Sequence, residues 1–220
     1  MQHYRILSAL LLYPEPELVA ALSELETGLS ADLPLRARLA PLLVHLAEND
    51  MITLQQTYVQ TFDRTPTHSL HLFEHIHGES RDRGQAMVDL MEEYKKHGLE
   101  MIGDELPDYV PLFLEFLSQL DDEERAGALL GDAVHELAYI GRKLAANDSP
   151  YACVFEVLEG LSPVQAEELS EPPIKDMDEA LETFGPGADG VEPLLKPLAG
   201  GPQPINFYPR AARPAQPANA

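Results

Sequence analysis

The chain reads as an all-α protein, and three observations predict this. Apolar residues recur at three- and four-residue spacing almost throughout its 220 residues, which is the period of an amphipathic helix. Alternation of Val, Ile and Thr never persists for more than a few positions, so strand signals are nearly absent. Proline, glycine and acidic or hydroxyl residues punctuate the apolar runs at helix-length intervals.

The first helix carries Tyr4, Leu7, Leu10 and Leu11 and stops before Pro14 and Pro16, because proline lacks an amide hydrogen and clashes with the preceding turn. A second runs from Glu15 to Thr27 and ends near Gly28. Leu35, Leu39, Leu42, Leu43 and Leu46 mark a third, with Pro41 as a kink or a start. A short fourth element spans Leu54 to Phe62. Thr65 and Pro66 supply a cap and a first-turn proline for a segment closing at Gly78. Ser80 can cap the next helix, where Met87, Leu90, Met91 and Tyr94 share one face. That helix ends in Lys95-Lys96-His97-Gly98, with positive charge at the negative end of the backbone dipole and a glycine able to turn left-handed. Pro107-Asp108 opens a helix carrying Leu112, Phe113, Phe116, Leu117 and Leu120, which Asp108 is expected to cap. Asp121, Asp122, Glu123 and Glu124 start a long helix through Leu130, Val134, Leu137 and Leu144, and Ser149-Pro150 starts another that closes at Gly160. A last short helix is expected over Asp176 to Phe184. Residues 1–184 are thus expected to form one helical-bundle domain. From Gly185 the 36 remaining residues hold 8 Pro and 5 Gly without apolar periodicity, as expected of a disordered, Pro-rich C-terminal tail over 185–220.

Composition narrows the function. The net charge is −22, from 37 acidic against 15 basic residues. Such a surface repels nucleic acid and anionic lipid and attracts cationic partners. No apolar run approaches the ~20 residues that span a bilayer, and Met-Gln-His-Tyr-Arg does not begin like a signal peptide. Cys153, the one cysteine, lies in the apolar run Tyr151 to Phe155 and reads as a buried, inert thiol in a reducing compartment. The chain contains no Gly-rich phosphate loop, Gly-x-Ser-x-Gly, His-Glu-x-x-His or Cys-x-x-Cys. It therefore reads as a protein without catalysis of its own.

The densest chemistry lies at residues 67–83. His68, His71, His75 and His77 fall within ten residues, followed by Glu79, Arg81, Asp82 and Arg83. If the segment is helical, ~100° per residue sets His68, His71 and His75 on one face and His77 on the other. Such a stripe invites a metal, yet a closed site needs converging ligands and no second His or Cys cluster accompanies it. The residues alone leave three readings: structural histidines, a recognition surface, or a helical metal-binding protein using the stripe. The arginines oppose the helix dipole at this position, so carboxylate partners are expected elsewhere. Glu105 and Asp108, on the stiff turn around Pro107 and beside Tyr109, are the candidates.

Two blocks carry a resemblance. The stretch from His68 to Met87, His-Ser-Leu-His-Leu-Phe-Glu-His-Ile-His-Gly-Glu-Ser-Arg-Asp-Arg-Gly-Gln-Ala-Met, and Glu105-Leu-Pro-Asp-Tyr-Val-Pro-Leu-Phe-Leu-Glu-Phe116 resemble the NarJ family of nitrate reductase molybdenum cofactor assembly chaperones. The wider superfamily, with the TorD and DmsD chaperones, has an aromatic-x-x-Leu-Phe motif and a Glu-x-Pro-Asp-His-like motif. Here they correspond to Tyr58-Val-Gln-Thr61-Phe62, with Thr61 in place of Leu, and Glu105-Leu-Pro-Asp-Tyr109, with Tyr109 in place of His.

The resemblance implies a TorD/NarJ-like helical bundle and a cytoplasmic, non-catalytic chaperone. Such proteins bind the N-terminal segment of the apo catalytic (α) subunit of respiratory nitrate reductase. They hold back premature membrane attachment and assist insertion of the bis-molybdopterin guanine dinucleotide cofactor, keeping none permanently. Proteins of molybdenum cofactor biosynthesis are further expected partners. An acidic helical groove suits an amphipathic, basic leader peptide. The candidate peptide-binding residues are Tyr58, Phe62, His71, Phe73, Glu74, His77, Glu79, Arg81, Arg83, Glu105, Pro107, Asp108 and Tyr109. In this reading Tyr58, Phe62, Phe73 and Tyr109 take the peptide's apolar face, and Glu74, Glu79, Glu105 and Asp108 meet its charge. The histidines tune affinity between about pH 6 and 7.

Overall fold

Helix ends fall where proline and acidic residues place them. The structure is a computed structural model that describes residues 2–30, 32–77, 81–103 and 105–169, with the backbone alone for His77 and Arg81. All of these belong to one unit, Met1–Pro173. Glu79, the expected cap Ser80, the expected helix over 176–184 and the tail over 185–220 lie outside the described residues, as do the side chains of His77 and Arg81.

Nine α-helices occur among the described residues: α1 (Gln2–Leu10), α2 (Pro16–Gly28), α3 (Leu33–Glu48), α4 (Met51–Tyr58), α5 (Glu74–His77), α6 (Arg81–Lys96), α7 (Val110–Gln119), α8 (Glu123–Ala146) and α9 (Ala152–Leu161). The all-α expectation is met. Asp32, Asp50 and Asp122 cap α3, α4 and α8 by accepting backbone N–H bonds from Leu35, Thr53 and both Glu124 and Arg125, satisfying donors that a helix start leaves unpaired. Pro41 sits inside α3 without ending it. Gly98 terminates α6 at φ +75°, as its left-handed turn requires.

Three packings build the core. α1 lies on α7, fastened by the Ser8 hydroxyl donating to the Pro111 carbonyl at 2.7 Å. α8 lies on α9, where a Cβ at Gly141 would meet the Phe155 Cβ at 2.7 Å. α3 covers α9 with Leu35, Leu39, Leu42 and Leu46 buried. Cys153 is buried here, its Sγ–H directed at the Pro150 carbonyl, and burial pushes the thiol up to about 11, consistent with an inert core residue.

Two local expectations are corrected. The segment 66–77 is not one helix. It is a 3₁₀ turn at Pro66–His68, an antiparallel bridge between His71 and Tyr109, and the single turn of α5. Asp108 does not cap α7. Tyr109 occupies that position in extended geometry, and the Asp108 side chain turns back toward His71 and Phe73. Pairing between distant segments outweighs local propensity at both places.

Candidate functional site

The bridge between residues 70–72 and 108–110 builds the site. Val110 N–H donates to the Leu70 carbonyl at 2.8 Å, and Leu72 N–H to the Asp108 carbonyl at 3.1 Å. Because Tyr109 is extended, successive side chains leave the strand-like stretch in opposite directions. Asp108 is driven inward, to 0% exposure. A carboxylate so enclosed needs donors on each oxygen. His71 Nδ1–H donates to Oδ1 at 3.2 Å, Phe73 N–H donates to Oδ2 at 3.1 Å, and the Arg83 guanidinium stands 3.9 Å from Oδ2. Arg83 also pairs with Glu74 at 3.0 Å, so α5, α6 and the turn before α7 meet at one carboxylate.

A second chain of contacts runs from Tyr109. Its hydroxyl lies 3.3 Å from that of Tyr58, which donates to the Leu11 carbonyl at 2.9 Å. Burial and the neighbouring tyrosine push the Tyr58 hydroxyl well above its ordinary range. The Tyr58 ring packs on Tyr13, Phe62 and Tyr151, with Tyr58 and Phe62 both inside the core. Pro107 is buried, and its carbonyl accepts from the Tyr94 hydroxyl at 2.7 Å. This contact ties the end of α6 to the same turn.

The three histidines of the predicted stripe separate. His68 Nδ1–H donates to the Thr61 carbonyl, and its Nε2 accepts from Asn147 at 2.9 Å. His75 Nε2–H donates to the Ser69 carbonyl at 2.8 Å. With His71 held by Asp108, each faces a different partner, so the three do not form one stripe. Among the described residues, no three His, Cys, Asp or Glu groups converge as a metal site would need. Burial alone would lower the His71 pKa, but the hydrogen bond and charge of Asp108, with Glu74 beyond, outweigh it and set it above the ordinary value.

Of the candidate residues, the fold gathers His71, Phe73, Glu74, Arg83, Pro107, Asp108 and Tyr109 into one joint. Tyr58 is linked to it through hydroxyls. Phe62 stands in the core behind Tyr58. Glu105 is exposed on the loop, and Arg83 takes Glu74 and Asp108 as its partners. Phe73, Glu74 and Tyr109 stay partly exposed. Sequence reasoning missed an open cleft of about 780 Å³ on the solvent side of α4, lined by Tyr13, Ile52, Gln55, Gln56, Val59 and Gln60. Its signal was the run of amides facing outward at helical spacing.

Fold and site together define a class of helical-bundle protein closed by a buried Asp–His–Arg joint. Residues 29–156 match the family described as nitrate reductase delta subunit. The chain is 38% identical, over 84% of its length and 80% of the relative's, to the nitrate reductase molybdenum cofactor assembly chaperone NarJ of Escherichia coli K12. It is 41% identical, over 72% of its length and 67% of the relative's, to the assembly chaperone NarW of the same organism. A crystal structure titled as a redox enzyme maturation protein from Archaeoglobus fulgidus superimposes with a TM-score of 0.56 at 21% identity, covering 72% of this chain and 91% of the other; that likeness establishes the fold. The chain belongs to the nitrate reductase delta subunit family, whose matched relatives NarJ and NarW are named as assembly chaperones.

Proposed function

We propose that the chain is a system-specific chaperone for the apo catalytic (α) subunit of a nitrate reductase. It binds the subunit's N-terminal segment, keeps it from premature membrane attachment and holds the subunit open to molybdenum cofactor insertion. Proteins of cofactor biosynthesis are the partners expected at that step, and the cytoplasm is its place of action. The observation that carries this reading is the 38% identity to NarJ over 84% of the chain. The acidic surface supports it, since a net charge of −22 draws a cationic leader. No described helix is long and apolar enough to cross a membrane.

The binding residues proposed are those of the joint that solvent can reach. Phe73 and Tyr109 supply partly exposed aromatic surface beside Glu74 and Glu105. Asp108, enclosed beneath them, positions His71 and Arg83 and does not meet the peptide. Tyr58 and Phe62 support Tyr109 from within the core. The candidates His77, Glu79 and Arg81 belong to the same segment, with side chains outside the described residues.

The test is co-purification from cells holding both proteins at native level, with the molybdenum content of the reductase measured alongside. Retention of the apo α subunit, and loss of molybdenum loading on deletion of this chain, are expected. Full loading in the deletion strain sinks the proposal.

A further inference from the structure

Among the described residues, one flank of a helix beside the joint stays open to solvent. α6 packs inward through Tyr94, buried against Phe116 with ring centroids 4.5 Å apart, and through Leu90. Arg83 anchors its start to Glu74 and Asp108, and Glu93 pairs with Arg125 of α8 near its end. Alongside that inward face, Gly84, Met87, Val88 and Met91 fall at i, i+3, i+4 and i+7, which places them on one stripe about 10 Å long that runs from the edge of the packed face, at Met87 and Met91, to exposed surface, at Gly84 and Val88. Val88 is 46% exposed, both methionines are partly buried, and a Cβ built at Gly84 meets nothing within 4 Å. Exposed apolar residues collect at both ends of the helix: Ile76 before it, then Leu106 and Ile102, the latter 99% exposed.

We infer that this α6 stripe is where the apolar face of a cationic amphipathic helix docks, on the reading that the chain receives the α subunit's N-terminal segment. The stripe's spacing is that of a helix-in-groove contact. Its side chains suit such docking, because methionine adapts its shape to varied partners and glycine lets another backbone approach closely. Charge selects the occupant. Exposed Asp89 and Glu92 flank the stripe, and exposed Glu100 and Glu105 follow on the loop after α6. Of the cations nearby, Arg83 is paired twice and Lys96 lies 3.4 Å from Glu93, while exposed Lys95 lies on the stripe's own side, where these four exposed carboxylates outnumber it. On a chain of net charge −22, a basic helix is attracted where a second copy of this chain is repelled.

The experiment uses the full chain and a synthetic peptide of roughly 20 residues from the α subunit's N-terminus, about 30 Å as a helix. Calorimetry gives the affinity of Val88→Lys and Met91→Lys, with Met87→Leu and Met91→Leu as conservative controls and thermal unfolding as the check on folding. At least about a tenfold loss is expected for the lysine variants, with the leucine variants close to the parent. A photocrosslinker at Val88 should yield a chain–peptide adduct. Unchanged affinity in the lysine variants overturns the α6 assignment while leaving the chaperone reading intact. No binding by the parent chain overturns both. A crosslinked homodimer without peptide adduct overturns the assignment in favour of a second copy.

Discussion

Asp108 carries a negative charge in a place enclosed by protein, held there by a histidine, a backbone amide and an arginine. Removing one member of such a set leaves the others buried without a counterpart, which costs more than the set contributes in total. Asp108→Ala is therefore expected to destabilise the fold by about 3 kcal/mol in urea unfolding, and Asp108→Asn, which keeps an acceptor, by less. A change below about 1 kcal/mol for the alanine variant would show that the joint is not structural. His71 adds a pH dependence whose sign is fixed by its raised pKa. Protonated His71 is favoured in the folded state, so its contribution is complete below the unfolded value near 6.5 and disappears as pH rises through the folded value. Stability measured from pH 5 to 8 should fall across the upper part of that window, and His71→Gln should flatten it. An identical profile in the variant would refute the assignment.

At the scale of elements, two glycines in helices should respond in opposite directions. Gly141 lies where α8 meets α9, with the Phe155 Cβ only 2.7 Å from an added methyl. Gly141→Ala should force the helices apart and cost about 1–3 kcal/mol. Gly84 on α6 has open space, so Gly84→Ala should stabilise by about 0.5–1 kcal/mol through reduced backbone entropy. Thermal unfolding of the two variants decides it, and equal shifts would contradict the packing described. The helices themselves were legible because their signals are local: Pro14 and Pro16, the Lys95–Gly98 terminus and Asp122 act within a turn of where they stand. Residues 66–77 were not legible for the opposite reason. Their conformation is set by bonds to residues 108–110, and no periodicity in the segment carries that information. The same distance hid the role of Asp108, which looks like a helix cap until Tyr109 is seen extended. Arg83 was legible in part: its need for a carboxylate follows from the helix dipole, but which carboxylate depends on how the turn at Pro107 folds back.

For the molecule as a whole, the proposed capture of a client would draw separable contributions from charge and apolar surface. The net charge of −22 acts over a Debye length, about 30 Å at 0.01 M salt and about 8 Å at 0.15 M. It therefore governs encounter more than the final contact. The proposed docking surface, the α6 stripe with the aromatic surface of Phe73 and Tyr109, would act only on contact, and salt would leave that contribution largely untouched. Raising salt from about 0.02 to 0.5 M should lower the association rate of a basic leader peptide by about tenfold or more, with a much smaller rise in its dissociation rate. Stopped-flow fluorescence of a labelled peptide separates the two rates. Substituting Met91→Lys should reverse the pattern, with dissociation accelerated and a salt slope little changed. If salt instead acts mainly on dissociation, the peptide is held by buried ion pairs, and the division of labour between the acidic surface and the apolar stripe is wrong.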